Sequence, residues 1–406
     1  MSYPYQPSEK WDVHTHTTLS PDTYDKLARF THYTSFVRIQ AHATKPCCAQ
    51  MINSAGEMVR EIEANAYEGA VRVDECDAHG VDVQVISPTP MMIPDYVDNL
   101  QDAAEICQIL NDDNAKMVVQ YPKRFVAMGA LPMRSAELAI NEMQRLQAMG
   151  FQGIEVLSNI NGVELDDPQF FPIFEAAAEM DMAVFIHPWG GFMSPSESAL
   201  QRRMNAARNW RPWLIAMGME TALAFDAMRT GGVHERLPNL RVLYAHGGGV
   251  FPTLLGRLEH GAYCRPDLFE KSSNQNPYDA VRDCNIYTDT LTHNPWVLEL
   301  LINTLGASWI AMGSDYPYPL GEVDPFDGQS MVDAKGNKCP YPQAKGIYPG
   351  HMIEHLPSND AEREAAWNHF NWLARDNRDG VRRLPILNHD QKQRILSGTA
   401  KEWLGI

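Results

Sequence analysis

A chain of 406 residues with 44% hydrophobic and 21% charged residues has the composition of an ordinary globular protein with material for a large core, which excludes intrinsic disorder. The formal charge of -17, from 34 basic and 51 acidic residues, excludes the dense basic face that a nucleic acid or an anionic membrane requires. No apolar run approaches the roughly 18 to 20 residues that span a bilayer, and the opening MSYPYQPSEKWDVHTH is too polar for a secretory signal, so the protein is expected in the cytoplasm with no nucleic-acid and no membrane partner.

Eight short runs rich in Val, Ile, Phe and Tyr recur along the chain, separated by longer helix-like stretches. In order they are WDVHTHT (11–17), VDVQVISP (81–88), FVAMGALP (125–132), FQGIEVLS (151–158), AVFIHPW (183–189), RVLYAHGGG (241–249), NIYTDTL (285–291) and WIAMGSDYP (309–317). Between them lie helical candidates such as SAELAINEMQRLQAMG, where apolar residues recur at three- and four-residue steps and Gly150 offers a C-terminal stop. Eight βα repeats predict a closed (β/α)8 TIM barrel, whereas a doubly wound open sheet would show fewer strands and a Gly-rich phosphate loop after the first. The whole chain, 1–406, reads as one barrel domain with insertions at about 18–60 and 318–360 and a smaller addition at 190–209. All three leave from strand C-termini, which places them at the catalytic mouth. The seven cysteines lack CxxC spacing and read as reduced thiols.

Five of the eight runs end in His or Asp: DVHTH, FIHP, YAHGGG, YTDT and GSDYP. Residues two apart on a strand share a side, so His14 and His16 present two imidazoles to one ion while Thr15 faces away. His187 and Asp315 complete a set of three nitrogens and one oxygen suited to Zn, Mn, Fe or Co. Singly, each of these residues reads as an ordinary strand-end or helix-cap group. Four converging in a barrel mouth would be costly to desolvate without an ion, and the combination points to metal. His246 reads as a fifth ligand or a general base, with base preferred, and Asp289 as an orienter of a histidine or a strand-end hydrogen-bonding group. His32, His42, His293, His351 and His355 read as surface or rim histidines.

The combination DVHTH, GVDVQVISPTP, IHPW, HGGGVFPTLLGR and MGSDYPYPLGE resembles the decarboxylase branch of the amidohydrolase superfamily, most closely the α-amino-β-carboxymuconate-ε-semialdehyde decarboxylase-like family, from His14 to GTAKEWLGI. The resemblance implies a (β/α)8 barrel holding one divalent metal, zinc or, as in some aryl-acid decarboxylases, manganese. It implies His14, His16, His187 and Asp315 as ligands, and His246 as the residue that activates metal-bound water or moves the proton. Asp315 is counted with His246 as catalytic. It also implies a homodimer in which Arg257 reaches the neighbouring subunit's site, and a substrate-carboxylate clamp at Arg60, for which Arg72 is the rival. Trp189 and Tyr318 follow ligand motifs, as pocket walls or as packing beneath a loop. The mouth segments after His187 and Tyr318 are longer than the resemblance leads one to expect.

The expected function is non-oxidative, metal-dependent decarboxylation of a small carboxylic acid, either a carboxymuconate semialdehyde or a hydroxy-aryl acid from aromatic-compound degradation. The alternative is a hydrolase or hydratase acting on a lactone, amide or unsaturated acid, and a barrel that binds without catalysis is a third reading. Arginines aimed at the departing carboxylate would separate the first two.

Overall fold

The computed structural model describes residues 3–33, 36–45, 48–189, 210–269, 273–322, 346–370, 377–380 and 383–406. The addition at 190–209 and the centre of the 318–360 insertion, 323–345, lie outside the described residues. The strands, in chain order, are β1 (Trp11–Thr17), β2 (Arg38–Ala41), β3 (Cys48–Ile52), β4 (Met58–Glu63), β5 (Val83–Pro88), β6 (Phe125–Ala130), β7 (Gly153–Leu157), β8 (Asn159–Ile160), β9 (Val163–Glu164), β10 (Ala183–His187), β11 (Val242–Tyr244), β12 (Ile286–Asp289) and β13 (Ile310–Ala311).

Eight of them form one sheet in the order β1-β5-β6-β7-β10-β11-β12-β13, with parallel pairing throughout. Each of the eight apolar runs contributes one of these strands. The sheet closes through residues just beyond β13: Thr15 bridges Tyr316, and Val13 N–H, His16 N–H and Asp315 N–H donate to Met312, Tyr316 and His14 carbonyls at 2.9, 2.7 and 2.8 Å. The fold is a (β/α)8 barrel.

Both faces of these strands are apolar, which is why the runs are nearly continuous in sequence. Inward residues Val13, Val85, Met128, Phe185, Leu243 and Tyr287 fill the lumen, and outward Ile154, Val156, Val184, Ile186, Val242 and Ile286 pack under the helices. The helix Ala136–Ala148 shows how the surrounding layer forms. Ser135 caps it by accepting from Leu138 N–H, Ala139, Met143 and Leu146 bury one face, and Gly150 follows at φ +86°. The C-terminal helix Thr399–Leu404 places Trp403, fully buried, in the lumen cluster beside Phe185, and Arg241 Nε, next to the start of β11, donates to the Trp403 carbonyl at 2.6 Å. The barrel is thereby plugged at the end opposite the mouth.

The insertion after β1 has structure of its own. A 3-10 segment, Pro21–Phe30, precedes the antiparallel sheet β2-β3-β4, and Leu27, Phe30, Ile39, Met51 and Ile62 pack with Ile106 and Leu110 of the helix Leu100–Gln120. This sheet anchors β4, and β4 carries Arg60. Among the described residues no helix is long and apolar enough to cross a membrane.

Candidate metal centre and its pocket

The side chains of His14 and His16 leave β1 toward the mouth, and a β-bulge between Asp12 and Thr15 shifts the register against β5. Their Nε2 atoms stand 3.2 Å apart, and His16 Nε2 and His14 Nε2 lie 3.3 and 3.6 Å from Asp315 Oδ1. The His187 ring, at the end of β10, has its centroid 5.1 Å from His14 and 4.8 Å from His16. One ligand atom each from His14, His187, His246 and Asp315 lies within 4.8 Å of the others, so His246 sits at ligand range too. The barrel gathers all five residues from strand ends remote in sequence.

Two buried aspartates hold this arrangement. Asp289 Oδ2 accepts from His14 Nδ1 at 2.7 Å and from the His246 N–H at 2.8 Å, while Oδ1 accepts from Gly247 N–H at 2.7 Å and Leu291 N–H at 3.0 Å. His246 takes φ +57° and Gly247 φ +62°, and a Cβ on Gly247 would stand 2.7 Å from Thr292 Cγ2, so HGGG is a left-handed turn that a side chain there would obstruct. Asp12 accepts from His14 N–H at 3.3 Å, Ser314 N–H at 3.0 Å and Ser314 Oγ at 2.5 Å, joining β1 to the segment that bears Asp315. Gly313 permits that approach, since a Cβ there would lie 2.8 Å from both His14 Cβ and Asp289 Cβ.

Burial lowers His16 to about 4 and holds His187 well below the usual imidazole range, so both are neutral rings with lone pairs to give. Burial opposes the ionised form of Asp315, but the adjoining His16, His246 and His14 rings outweigh it and hold the carboxyl well below the ordinary value. Among the described residues, neither ring nitrogen of buried His187 has a hydrogen-bond partner. A buried polar group left unmatched costs about 1–3 kcal/mol, and three imidazoles with one carboxylate fit a divalent transition metal.

Above the cluster is a cavity of about 370 Å³ whose lining includes His16, His187, Asp315, Arg60, Tyr318 and Trp189. Trp210, Trp213 and Met217 extend one wall. Arg60 lies over the Tyr318 ring at 4.4 Å, and the Tyr318 and Thr89 hydroxyls are 2.6 Å apart. Arg72 is elsewhere: fully buried, it donates to Gln84 Oε1, Thr15 Oγ1 and the His16 carbonyl, and braces β1. Arg257 is exposed on the helix Phe251–Cys264 and does not line the cavity.

A family model described as amidohydrolase matches residues 11–350, most of the chain. The chain belongs to the amidohydrolase family. This amidohydrolase is 41% identical over 329 residues to 2-amino-3-carboxymuconate-6-semialdehyde decarboxylase of Dictyostelium discoideum, covering 81% of this chain and 86% of the relative. Among solved structures it is similar to Metarhizium anisopliae IDCase, with TM-score 0.70, 20% identity, and 98% and 97% of the two chains covered. It is also similar to 5-carboxyvanillate decarboxylase from Novosphingobium aromaticivorans complexed with manganese and 4-hydroxy-3-methoxy-5-nitrobenzoic acid, with TM-score 0.67, 17% identity, and 98% and 96% covered.

Sequence reading of the amidohydrolase missed Asp12 and Glu155. Asp12 stands between Trp11 and Val13 inside the apolar start of β1 and has no periodic signature, although a carboxylate two residues before His14 is a signal in hindsight. Glu155 is hidden in the apolar run GIEVL, where a charged residue at an inward position is itself the anomaly. Burial raises its carboxyl to about 8. The HGGG glycines form the turn that Asp289 grips.

Proposed function

We propose that this amidohydrolase is a metal-dependent carboxy-lyase that removes CO2, without oxidation, from a carboxymuconate semialdehyde or hydroxy-aryl carboxylic acid, with zinc the preferred ion and manganese the alternative. The observation that carries the reading is the meeting, in one cavity, of the His/Asp cluster with Arg60, which is the one lysine or arginine among its described lining residues. In this reading His14, His16, His187 and Asp315 hold the ion. When bound, the ion supplies positive charge that stabilises electron density developing on the substrate as the C–C bond breaks.

The chain's own residues do the rest. Arg60 fixes a substrate carboxylate through charge-assisted hydrogen bonds, and its position over Tyr318 limits its freedom before substrate arrives. Trp189, Trp213 and Tyr318 give flat walls that exclude water around a planar, conjugated acid. As the carbon–carbon bond breaks and CO2 departs, the electron pair stays on the substrate carbon, and His246 delivers the proton that replaces the lost carboxyl. Its Nε2 is 3.8 Å from Asp315 Oδ2, and Asp289 fixes its backbone.

The functional unit is a homodimer in this reading. Arg257 has no ion pair or hydrogen bond among the described residues, and Ile215, Met219 and Leu223, at four-residue steps along adjoining helical segments, are 50%, 36% and 51% exposed. The test is CO2 release from a panel of such acids by protein of known metal content. Release that chelation abolishes and metal restores is expected. Inactivity on every acid, with hydration or hydrolysis of a lactone or amide instead, would replace this reading with the hydrolase or hydratase.

A further inference from the structure

Glu155 is an ionisable group for which the mechanism above has no use. It sits mid-strand on β7, 1% exposed, in parallel register with Phe185 of β10, whose ring lies inside the barrel 4.9 Å from His14. Its sequence neighbours Ile154 and Val156 belong to the outer core, so the Glu155 carboxyl is in the lumen beneath the metal cluster. Among the described residues neither of its oxygens has a well-formed hydrogen bond, although the Ser87 hydroxyl of β5 is close enough to favour the charged form. Ser87 Oγ is in turn 3.4 Å from His16 Nδ1.

We infer that Glu155 is a positioning residue that orients His16 through the Ser87 hydroxyl. The inference rests on His16 being a metal ligand, as proposed above. His16 Nε2 faces His14 and Asp315, so for that nitrogen to offer its lone pair the proton must be on Nδ1, and Ser87 Oγ is the acceptor there. With the Ser87 oxygen accepting, its hydrogen is free to turn toward the Glu155 carboxylate. The Thr15 carbonyl, 3.3 Å from Ser87 Oγ, competes for that hydrogen over a long contact. His14 has a direct carboxylate partner in Asp289, and His16 has an indirect one in Glu155. A dication held by the adjoining histidines also offsets the cost of an ionised carboxylate in an apolar lumen.

The test uses the full-length protein stripped with EDTA, and reads the Kd for Mn2+ or Zn2+ by competition with a chromophoric chelator. Ser87→Ala, Glu155→Leu and the double variant close a thermodynamic cycle, with circular dichroism of the stripped proteins as the folding control. Each single change is expected to raise Kd about 10- to 100-fold, and the double variant to bind within about twofold of the weaker single, because both break one relay. Losses that multiply in the double variant, or Ser87→Ala binding as tightly as the parent, would overturn the relay. If Glu155→Leu does not fold, Glu155→Met closes the same cycle with an unbranched side chain of similar length that lacks the accepting oxygens. A parent protein that takes up no divalent ion would overturn the metal reading itself. CO2 release is not read, so the two failures are distinct.

Discussion

The Asp289 carboxylate binds the His14 imidazole at 2.7 Å and, through the same oxygen, the His246 backbone N–H at 2.8 Å. One side chain on β12 therefore fixes the orientation of a proposed ligand on β1 and the position of the proposed proton carrier after β11. The two functions are mechanically joined.

Asp289→Asn removes the negative charge and offers a donor amide where backbone donors already point. The variant is expected to bind metal about 10- to 100-fold more weakly and to lose kcat beyond what metal reloading restores, because the His246 turn is loosened too. Chelator competition followed by steady-state kinetics at saturating metal separates the two effects, and full recovery of kcat on reloading would refute the coupling.

Removing the ion should destabilise the barrel as well as silence it. An ion that binds only the folded state at 100 times its Kd stabilises by about 2.7 kcal/mol, so the metal-loaded protein should melt several degrees above the stripped one. Scanning calorimetry of stripped and reloaded samples reads this directly, and His187→Ala should melt at the same temperature with and without added metal.

Arg60→Met keeps an unbranched apolar stem and deletes the guanidinium. A hydrogen bond to a charged group contributes about 1.5–3 kcal/mol, which corresponds to a KM about 10- to 150-fold higher with kcat little changed if Arg60 binds ground state and transition state alike. Initial-rate measurements decide it. An unchanged KM would remove Arg60 from the substrate site.

Trp403→Ala tests the plug at the closed end. The residue is fully buried, and truncation of a buried Trp costs about 3–5 kcal/mol. Urea denaturation should show that loss while metal affinity of the folded protein stays near the parent value, since Trp403 packs against Phe185 at the closed end of the lumen.

Acid stability has a separate, nameable source. His234 is buried, its Nε2 is 2.8 Å from the Tyr244 hydroxyl, and burial followed by the Arg229 charge lowers it from 6.5 to about 3. The folded state thus binds this proton less readily than the unfolded state does. The stability is complete above the unfolded value of about 6.5 and is lost as pH falls toward 3, at a slope of up to about 1.4 kcal/mol per pH unit for one group. His234→Gln should show a shallower fall in urea midpoint between pH 6.5 and 4 than the parent, and parallel curves would exclude His234 as the cause.

The barrel was legible because its strands bury both faces. Residues such as Val184 and Phe185 are apolar on opposite sides of β10, and the run ends at His187 where the strand reaches the mouth. The His/Asp ligand set was legible for the same reason, since a polar group at the end of an apolar strand is conspicuous. The β2-β3-β4 sheet was not read, because only one of its faces is buried and its strands mix Arg, Gln and Glu with Ile and Met. The Asn53 to Gly56 turn between β3 and β4, with Gly56 at φ +82°, was the available signal. The contact between Asp12 and Ser314 spans 302 positions and leaves no local trace. Arg60 and Arg72 were separable only in three dimensions, one lining the cavity and the other sealed under β1.

The seam that closes the barrel joins its first strand to the segment after its last, and the proposed ligands His14, His16 and Asp315 lie along it. On the ribosome, the two histidines are made long before their aspartate. In the reading proposed above, a nascent product ending before Asp315 lacks one member of the proposed ligand set. Loop closure over so long a separation is slow to nucleate, so on that reading the ion is a late clasp on an assembled cylinder rather than a seed for its folding.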